Sequence, residues 1–430
     1  MLIQFSVKNF LSFRDEAVLS MLASKRRSLD KSLDENATFE APFDFKLLKS
    51  AVIYGANASG KSNVFKALRF MKGMVINSSK ESQADEEIEV SPFLLNPRTS
   101  AQPSHFEVIF IHNNTYYEYS FSASAKKIES ENLTIRKSPN EKERLLFSRT
   151  GSEIKVHREF PEGKGLEKRT RDNALFLSVC ANFDGAISAS VISWFRRVRV
   201  ISGLSDTGFM PFTSKKLKEK EFNEKILKFL DAFDIGIKNI KISDAEASSM
   251  FPPSVMKELT ATFTKRFGPN IEFNAGSKIS TEHTVFDDSG NDLGSVYFDL
   301  EKNESDGTKK LVALSAPFID ALENSYILFL DELDARLHPI LSLQILKLFN
   351  CQTKNAKHAQ LVTATHSTNL LDKEHLRRDQ IWLTTKDGHG SSSLISLLEY
   401  KVRNDASFEK EYIAGKYGGI PLIGELDSIF

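Results

Sequence analysis

Eight residues, GANASGKS from Gly55 to Ser62, carry the spacing G-x-x-x-x-G-K-[ST]. Its chemistry is the capture of a phosphorylated ligand. Glycines let successive backbone N–H groups approach phosphate oxygens, a lysine neutralises β/γ charge, and a terminal hydroxyl ligates Mg²⁺. Here Gly55 and Gly60 shape the loop, Lys61 faces the phosphates and Ser62 is the metal ligand, which implies ATP and Mg²⁺. ILFLDELDARLHP (327–339) supplies a second group. Its apolar run ends in Asp331 and Glu332, so a strand delivers two carboxylates at its C-terminal edge, where open α/β sheets bind ligands. Asp331 would hold Mg²⁺ or its water shell, and Glu332 would polarise the attacking water. TATHS sets His366 just after another apolar run, as a candidate γ-phosphate sensor. Glu332 and His366 are thus the candidate catalytic residues. The plain alternatives are a Gly-rich turn, an acidic strand end and a satisfied core histidine.

These groups need elements to hold them. Ala51-Val-Ile-Tyr54 reads as a short apolar strand before the loop, and Val64, Leu68 and Met71 give the following segment a helical face. YILFL (326–330) has no polar interruption, as a parallel strand covered on both faces requires. QLVTAT (360–365) is the next strand, and proline opens the helix PILSLQILKLF between them. Strand signals dominate the first third: Ile3, Phe5 and Val7 alternate with polar residues, and Ala17 to Met21 reads as extended. HFEVIFI and TYYEYSFSA flank Asn113-Asn114 as a hairpin, with further strand-like pieces near Leu133–Ile135 and Leu145–Phe147. From about Asn173 to the 260s the pattern turns helical and charged. There KKLKEKEFNEKILKFLDAF (215–233) opposes an apolar face to a lysine-rich one. WFRRVRV (194–200) gathers three arginines, readable as a phosphate contact or as an edge strand or helix with paired arginines.

The chain has 430 residues, enough for two or three domains. Basic and acidic residues balance at 57 each, so no global positive charge drives nucleic-acid binding. Cys180 and Cys351 stand far apart, which argues against a disulfide framework or zinc site and fits a reducing cytosol. No apolar run approaches the roughly 20 residues that cross a bilayer, and the N-terminus lacks a signal-peptide layout. The expectation is a cytoplasmic protein with no membrane association.

Asn303 to Leu314 reads NESDGTKKLVAL, where Ser305, Gly307 and Thr308 look like ordinary helix-start residues. Its place in the order of motifs suggests more. A P-loop, SDG before a helix, hhhhDE, LDARLHP and TATHS, taken in order, resemble the ABC-type ATPases, in the branch that contains SMC, RecF and OLD proteins. FSVKNFLSFRD (5–15) resembles the first strand of their heads, and GANASGKSN resembles their G-x-N-x-x-GKSN loop, adding Asn57 and Asn63 to the nucleotide contacts. The long separation of Lys61 from Asp331 is similar to SMC and RecF heads and unlike transporter subunits.

A narrower resemblance covers almost the whole chain. SPFLLNP (91–97), IESENL (128–133), NALFLSVCANF (173–183) and EYIAGKYGGIP (411–421) resemble the AbiLi-type abortive-infection ATPases of bacteria, which include the ATPase component of the PARIS phage-defence system. The resemblance implies an α/β, SMC/RecF-like P-loop ATPase head with a mixed sheet, an antiparallel β part and a helical insertion. It divides the chain into 1–195, the first part of the head; 196–300, a mainly helical insertion; and 301–430, the second part of the head. NESDGTKKL then takes the signature position. Ser305 and Gly307 would meet ATP held by an opposite subunit, with Asp334 at the same interface, and Asp306 departs from the commoner glycine. The implied partners are a second copy of the chain, an effector encoded nearby such as a nuclease toxin, and a phage protein as trigger. A RecF- or SMC-like DNA-repair ATPase is the competing reading, resting on the arginines at 196–199 and the lysines at 215–220.

Overall fold

The computed structural model describes residues 1–25, 30–81, 83, 85–204, 209–244, 277–403 and 406–421. In chain order the strands are β1 (Leu2–Lys8), β2 (Ala17–Ser20), β3 (Thr38–Ala41), β4 (Phe45–Leu48), β5 (Ser50–Gly55) and β6 (Ser104–His112). β7 (Thr115–Ala123), β8 (Ile128–Arg136), β9 (Arg144–Thr150), β10 (Glu153–Val156), β11 (Val198–Ser202) and β12 (Asn239–Asp244) follow. The last are β13 (Ser277–Phe286), β14 (Asp292–Asp299), β15 (Ile327–Asp331), β16 (Gln360–Ala364), β17 (Ile381–Lys386) and β18 (Ser392–Ser396). Two compact units form. One holds Met1–Leu204, Ala321–Ala335 and Pro339–Phe430, and the other Ser205–Asp320 and Arg336–His338.

The first unit is built on two large sheets, beside the two-stranded pair β3-β4. The central one has the order β11-β15-β16-β5-β17-β18. Its strands run parallel from β11 to β17, and β18 returns antiparallel. β5 and β16 are buried at every position, which is why their sequences, SAVIYG and QLVTA, are mainly apolar or small. Parallel alignment brings the C-terminal ends of β5, β15 and β16 to one edge, so the loop from Gly55, the Asp331-Glu332 pair and the His366 turn leave the sheet together. At the opposite edge Gln360 is fully engaged: its Oε1 accepts from Leu2 N at 2.6 Å, and its Nε2 donates to the Leu2 and Leu48 carbonyls at 3.0 and 3.1 Å.

The second sheet is antiparallel, ordered β10-β9-β8-β7-β6-β1-β2. Asn113 and Asn114 turn β6 into β7 with φ of 49° and 55°, a left-handed geometry that asparagine tolerates. Alternate residues of this sheet, among them Phe5, Val108 and Leu133, share one core with Val64, Phe65, Leu68 and Met71 of the helix Lys61–Asn77. Glu131 is fully buried there and accepts from Phe176 N at 2.6 Å, Leu177 N at 2.9 Å and the Tyr119 hydroxyl at 2.9 Å. The stretches IESENL and NALFLSVCANF are thereby one polar knot inside the core.

WFRRVRV becomes the end of the helix Ala186–Arg197 and the edge strand β11. Alternating valines suit a strand flank, and the Arg197 and Arg199 guanidinium carbons lie 5.5 and 5.1 Å from the Tyr326 ring centre. Residues 198–202 therefore belong to the central sheet, and the second unit starts at Ser205 rather than at 196. Among its described residues the second unit carries the helices Met210–Leu217 and Lys220–Ala232, the antiparallel sheet β12-β13-β14 and the start of the helix Asp306–Asn324. Helix Lys220–Ala232 buries Phe222, Ile226, Phe229 and Leu230 and pairs Lys225 with Glu221 at 2.8 Å, an amphipathic helix with a solvated charged side. The helical expectation for 245–276 lies outside the described residues. No single helix among the described residues is long and apolar enough to cross a membrane.

Candidate nucleotide site

The loop leaves β5 at Gly55, where space dictates the residue. A Cβ there would lie 2.2 Å from Thr384 Oγ1 and 2.6 Å from the Thr384 carbonyl oxygen. At Gly60 φ is +111°, and a Cβ would stand 2.5 Å from Ser392 Oγ. Asn57 sits exposed on the outer turn, and Ala58 beside it adopts φ of 60°. Lys61 opens the helix and folds back, its Nζ donating to the Gly55 carbonyl at 2.7 Å and the Ala56 carbonyl at 3.0 Å. Burial lowers the Lys61 pKa, while the negative charges of Asp331, Glu332 and Asp334 oppose that shift. The loop is thus a cradle of backbone donors with one cation above it.

Asn63 fixes the loop from outside. Its Nδ2 donates to Ser12 Oγ at 2.7 Å, and Ser392 Oγ donates to the same oxygen at 2.8 Å. Ser392 N also donates to the Ser12 carbonyl at 2.7 Å. Asn9, three residues before Ser12, donates to the Thr99, Gln102 and Pro103 carbonyls and accepts from Phe93 N. The NFLSF stretch therefore carries two structural side chains, one for SPFLLNP and the loop that follows it, the other for the phosphate loop.

Asp331 ends β15 beside Ser62. Its Oδ1 is buried without a hydrogen-bond partner. Burial raises its pKa, opposed by the Ser62 hydroxyl and by the charges of Lys61, Lys66 and Arg69. A buried carboxylate oxygen lacking a donor, next to a hydroxyl, fits one side of a Mg²⁺ shell. Mg²⁺ commonly takes one or two protein oxygens and completes its octahedron with water and phosphate. Among the described residues no group of three or more His, Cys, Asp or Glu could hold a metal unaided, so phosphate oxygens would have to share the ion.

Glu332 follows with φ of 57°, a strained value for a non-glycine residue. Gly203, at the end of β11, donates to the Asp331 carbonyl at 2.6 Å, and Leu333 N donates to the Ala364 carbonyl at 3.1 Å. Asp334 Oδ2 accepts from the backbone N of His366 at 3.1 Å, and its Oδ1 is buried without a partner. The His366 ring itself is exposed.

In the second unit, Ser305 Oγ accepts from Thr308 N at 3.1 Å and the Ser305 carbonyl from Lys309 N at 2.9 Å, which makes Ser305 the cap of helix Asp306–Asn324. Glu304 Oε1 is held by His283 Nε2 at 2.7 Å and by the Thr281 hydroxyl. A Cβ on Gly307 would stand 2.9 Å from the Arg336 carbonyl oxygen. The Ser305 side chain is solvent-exposed.

The first unit thus gathers Gly55, Lys61, Ser62, Asn63, Asp331, Glu332, Asp334 and His366, and the second carries Ser305 and Gly307. Sequence reasoning missed Ser12, Gly203, Thr384 and Ser392. A glycine directly after the β-branched run VRVIS was the one available signal, for Gly203.

A phosphate loop at the C-terminal end of a central parallel strand, with an acidic pair two strands away, defines a P-loop ATPase fold of the α/β class. A family model described as "AAA domain, putative AbiEii toxin, Type IV TA system" matches residues 50–372, and the chain belongs to that family. Among curated proteins none matches the chain. Similar solved structures include an SMC head domain from Thermotoga maritima, at 14% identity and TM-score 0.41, covering 92% of this chain and 98% of that one. An SMC head bound to the C-winged helix domain of ScpA gives 14% identity and TM-score 0.42 over 92% and 97% of the two chains. cbiO1 from Clostridium perfringens, part of the ABC transporter complex cbiONQ, gives 11% and 0.28 over 97% and 92%.

Proposed function

We propose that the chain is an ABC-class ATPase that binds and hydrolyses ATP between paired heads and serves as sensor and scaffold in bacterial anti-phage defence. One observation carries the hydrolase reading: the buried, unpartnered Asp331 Oδ1 beside Ser62 at the foot of the Gly55–Ser62 loop. Backbone donors of the loop bind the phosphates and Lys61 neutralises their charge. Mg²⁺, held by Ser62 and Asp331, would draw electron density from the phosphate oxygens. Glu332 orients water and takes its proton, and Asp334 sets the turn that aims His366 at the γ-phosphate end.

Ser305 and Gly307 of one copy complete the site of the other. The exposed Ser305 cap and the backbone donors of a helix start give that surface affinity for phosphate. The first unit acts as the head, and Ser205–Asp320 is the insertion between its sequence halves. The likeness of the quoted motifs to AbiLi-type ATPases, PARIS included, together with the family's toxin–antitoxin description, favours a cytoplasmic role in abortive infection. The toxic chemistry then belongs to a separate effector, such as a nuclease, released when a phage protein is sensed. The DNA-repair reading is weaker, because Arg197 and Arg199 are engaged on Tyr326.

The test is a pair of variants. Lys61→Ala should lose ATP binding. Glu332→Gln should bind ATP, hydrolyse it at about 1% of the normal rate or less, and elute as a stable pair. Near-normal turnover by Glu332→Gln would remove that residue from the mechanism. Co-purification with the product of an adjacent gene would favour defence, whereas DNA binding with a steep salt slope would favour repair.

A further inference from the structure

The stretch EYIAGKYGGIP (411–421) contributes no side chain to the phosphate loop, the acidic pair or the His366 turn, yet it and the helix it begins in lie against two of these loops. It begins within the helix Phe408–Ile413 and turns through Gly415, Gly418 and Gly419, with φ of 79°, 67° and 72°. A Cβ on Gly419 would stand 3.1 Å from the Thr384 carbonyl oxygen and 3.5 Å from the Gly55 Cα, so the segment seats directly beneath the first residue of the phosphate loop. The Tyr412 hydroxyl donates to the Gly419 carbonyl at 3.0 Å, and its ring meets Tyr54 at 6.0 Å and 60°. Tyr54 immediately precedes Gly55, and its own hydroxyl is buried without a partner. Thr384 closes the contact from the other side: its Oγ1 donates to the Tyr54 carbonyl at 3.1 Å and bonds Ser59 Oγ at 2.6 Å.

The same helix reaches the second loop. Glu409 Oε1 accepts from Thr368 Oγ1 at 2.6 Å, and Thr368 is two residues beyond His366. Tyr412 and Tyr417 are buried in one core with Val52 and Tyr54, and the Tyr400 hydroxyl pins the Tyr417 carbonyl at 2.8 Å. A surface segment needs neither buried tyrosines with directed hydroxyls nor a glycine at φ of 72° whose Cβ would crowd the Thr384 carbonyl oxygen at 3.1 Å.

We infer that residues Glu409 to Gly419 are the positioning element of the nucleotide site. Tyr412 and Gly419 set Gly55 at the start of the phosphate loop, and Glu409, through Thr368, sets the turn that carries His366. The inference rests on the reading of Gly55–Ser62 as an ATP site. Its two arms act on different steps, because Gly55 shapes the binding cradle whereas His366 belongs to turnover. Errors well under an ångström in such supports are enough to cost an order of magnitude.

The test measures ATP·Mg²⁺ binding, KM, kcat and nucleotide-free melting for the full chain. Gly419→Ala should weaken ATP binding and raise KM by about 10-fold while kcat stays within about twofold. Thr368→Val should do the reverse, lowering kcat by about 10-fold at unchanged ATP affinity. Gly388→Ala, where a Cβ meets no atom within 4 Å, is the control and should change neither. If Gly419→Ala does not fold, Tyr412→Phe keeps the ring on Tyr54, removes the bond to Gly419, and should still raise KM. Variants that melt earlier yet keep wild-type affinity and kcat would overturn the inference and leave the ATP site standing. A wild-type chain that binds no ATP would overturn both.

Discussion

The backbone of Gly203 lies so close to that of Glu332 that a Cβ on Gly203 would stand 2.1 Å from the Glu332 carbonyl oxygen and 2.7 Å from that of Asp331. Gly203→Ala must therefore push the acidic pair, and Glu332 is already held at φ of 57°. ATP binding should persist, because Lys61 and the loop are untouched, while kcat should fall by about 10- to 100-fold. Single-turnover hydrolysis beside equilibrium binding separates the two effects. Unchanged kcat would mean that β11 does not position the carboxylates.

Burial raises the Asp331 pKa, so its folded value lies above its unfolded one. The ionised carboxylate then costs folding energy at neutral pH, a cost that fades as pH falls through the folded value. Asp331→Asn should accordingly raise the nucleotide-free melting temperature near pH 7, by about 1–3 °C, with the gap to wild type narrowing at lower pH. Mg²⁺-dependent tightening of ATP binding should disappear in the same variant. Calorimetry across pH, with and without Mg²⁺, reads both outcomes.

Ser12 receives hydrogen bonds from Asn63 and Ser392. Ser12→Ala leaves both donors without their shared acceptor and should cost about 1–2 kcal/mol of stability. Because Asn63 sits on the first turn of the loop helix, ATP affinity should fall with it, by about three- to tenfold. Asn63→Ala should give a similar loss, and the double variant should add little to either. Additive losses would show that the two side chains act independently.

Ser305→Arg tests the proposed pairing of two copies through Ser305. The side chain is exposed, so the folded chain should still form and bind ATP at its own loop. ATP-driven pairing and hydrolysis should be lost, as sedimentation and phosphate release would show. Normal pairing and turnover would leave Ser305 as a helix cap and nothing else.

How much of this was legible in the sequence depended on how local each feature is. GANASGKS and ILFLDE declare themselves because loop, strand and helix are contiguous and the apolar period is carried by neighbouring residues. The hairpin at Asn113-Asn114 is of the same kind. WFRRVRV was ambiguous, since a short run with alternating valines and arginines has no periodicity long enough to choose strand over helix; Ile327 and its neighbours on β15 decide it. Ser12, Gly203, Thr384 and Gly419 acquire roles only through partners far along the chain, up to the 380 residues that separate Ser12 from Ser392. Nothing in their immediate flanks encodes those partners.

The placement of β5 between β16 and β17 has a consequence for synthesis. The strand that bears the phosphate loop emerges from the ribosome some 300 residues before either neighbour exists, leaving two bare hydrogen-bonding edges on a strand that is buried at every position in the folded chain. A nascent chain in that state is exposed to mispairing, and long-range parallel closure is slow. Gln360, whose amide clasps Leu2 and Leu48, would close the seam to those residues only when β16 arrives. Fragments ending before about residue 386 should therefore lack a nucleotide site and aggregate, even though every residue of GANASGKS is present in them.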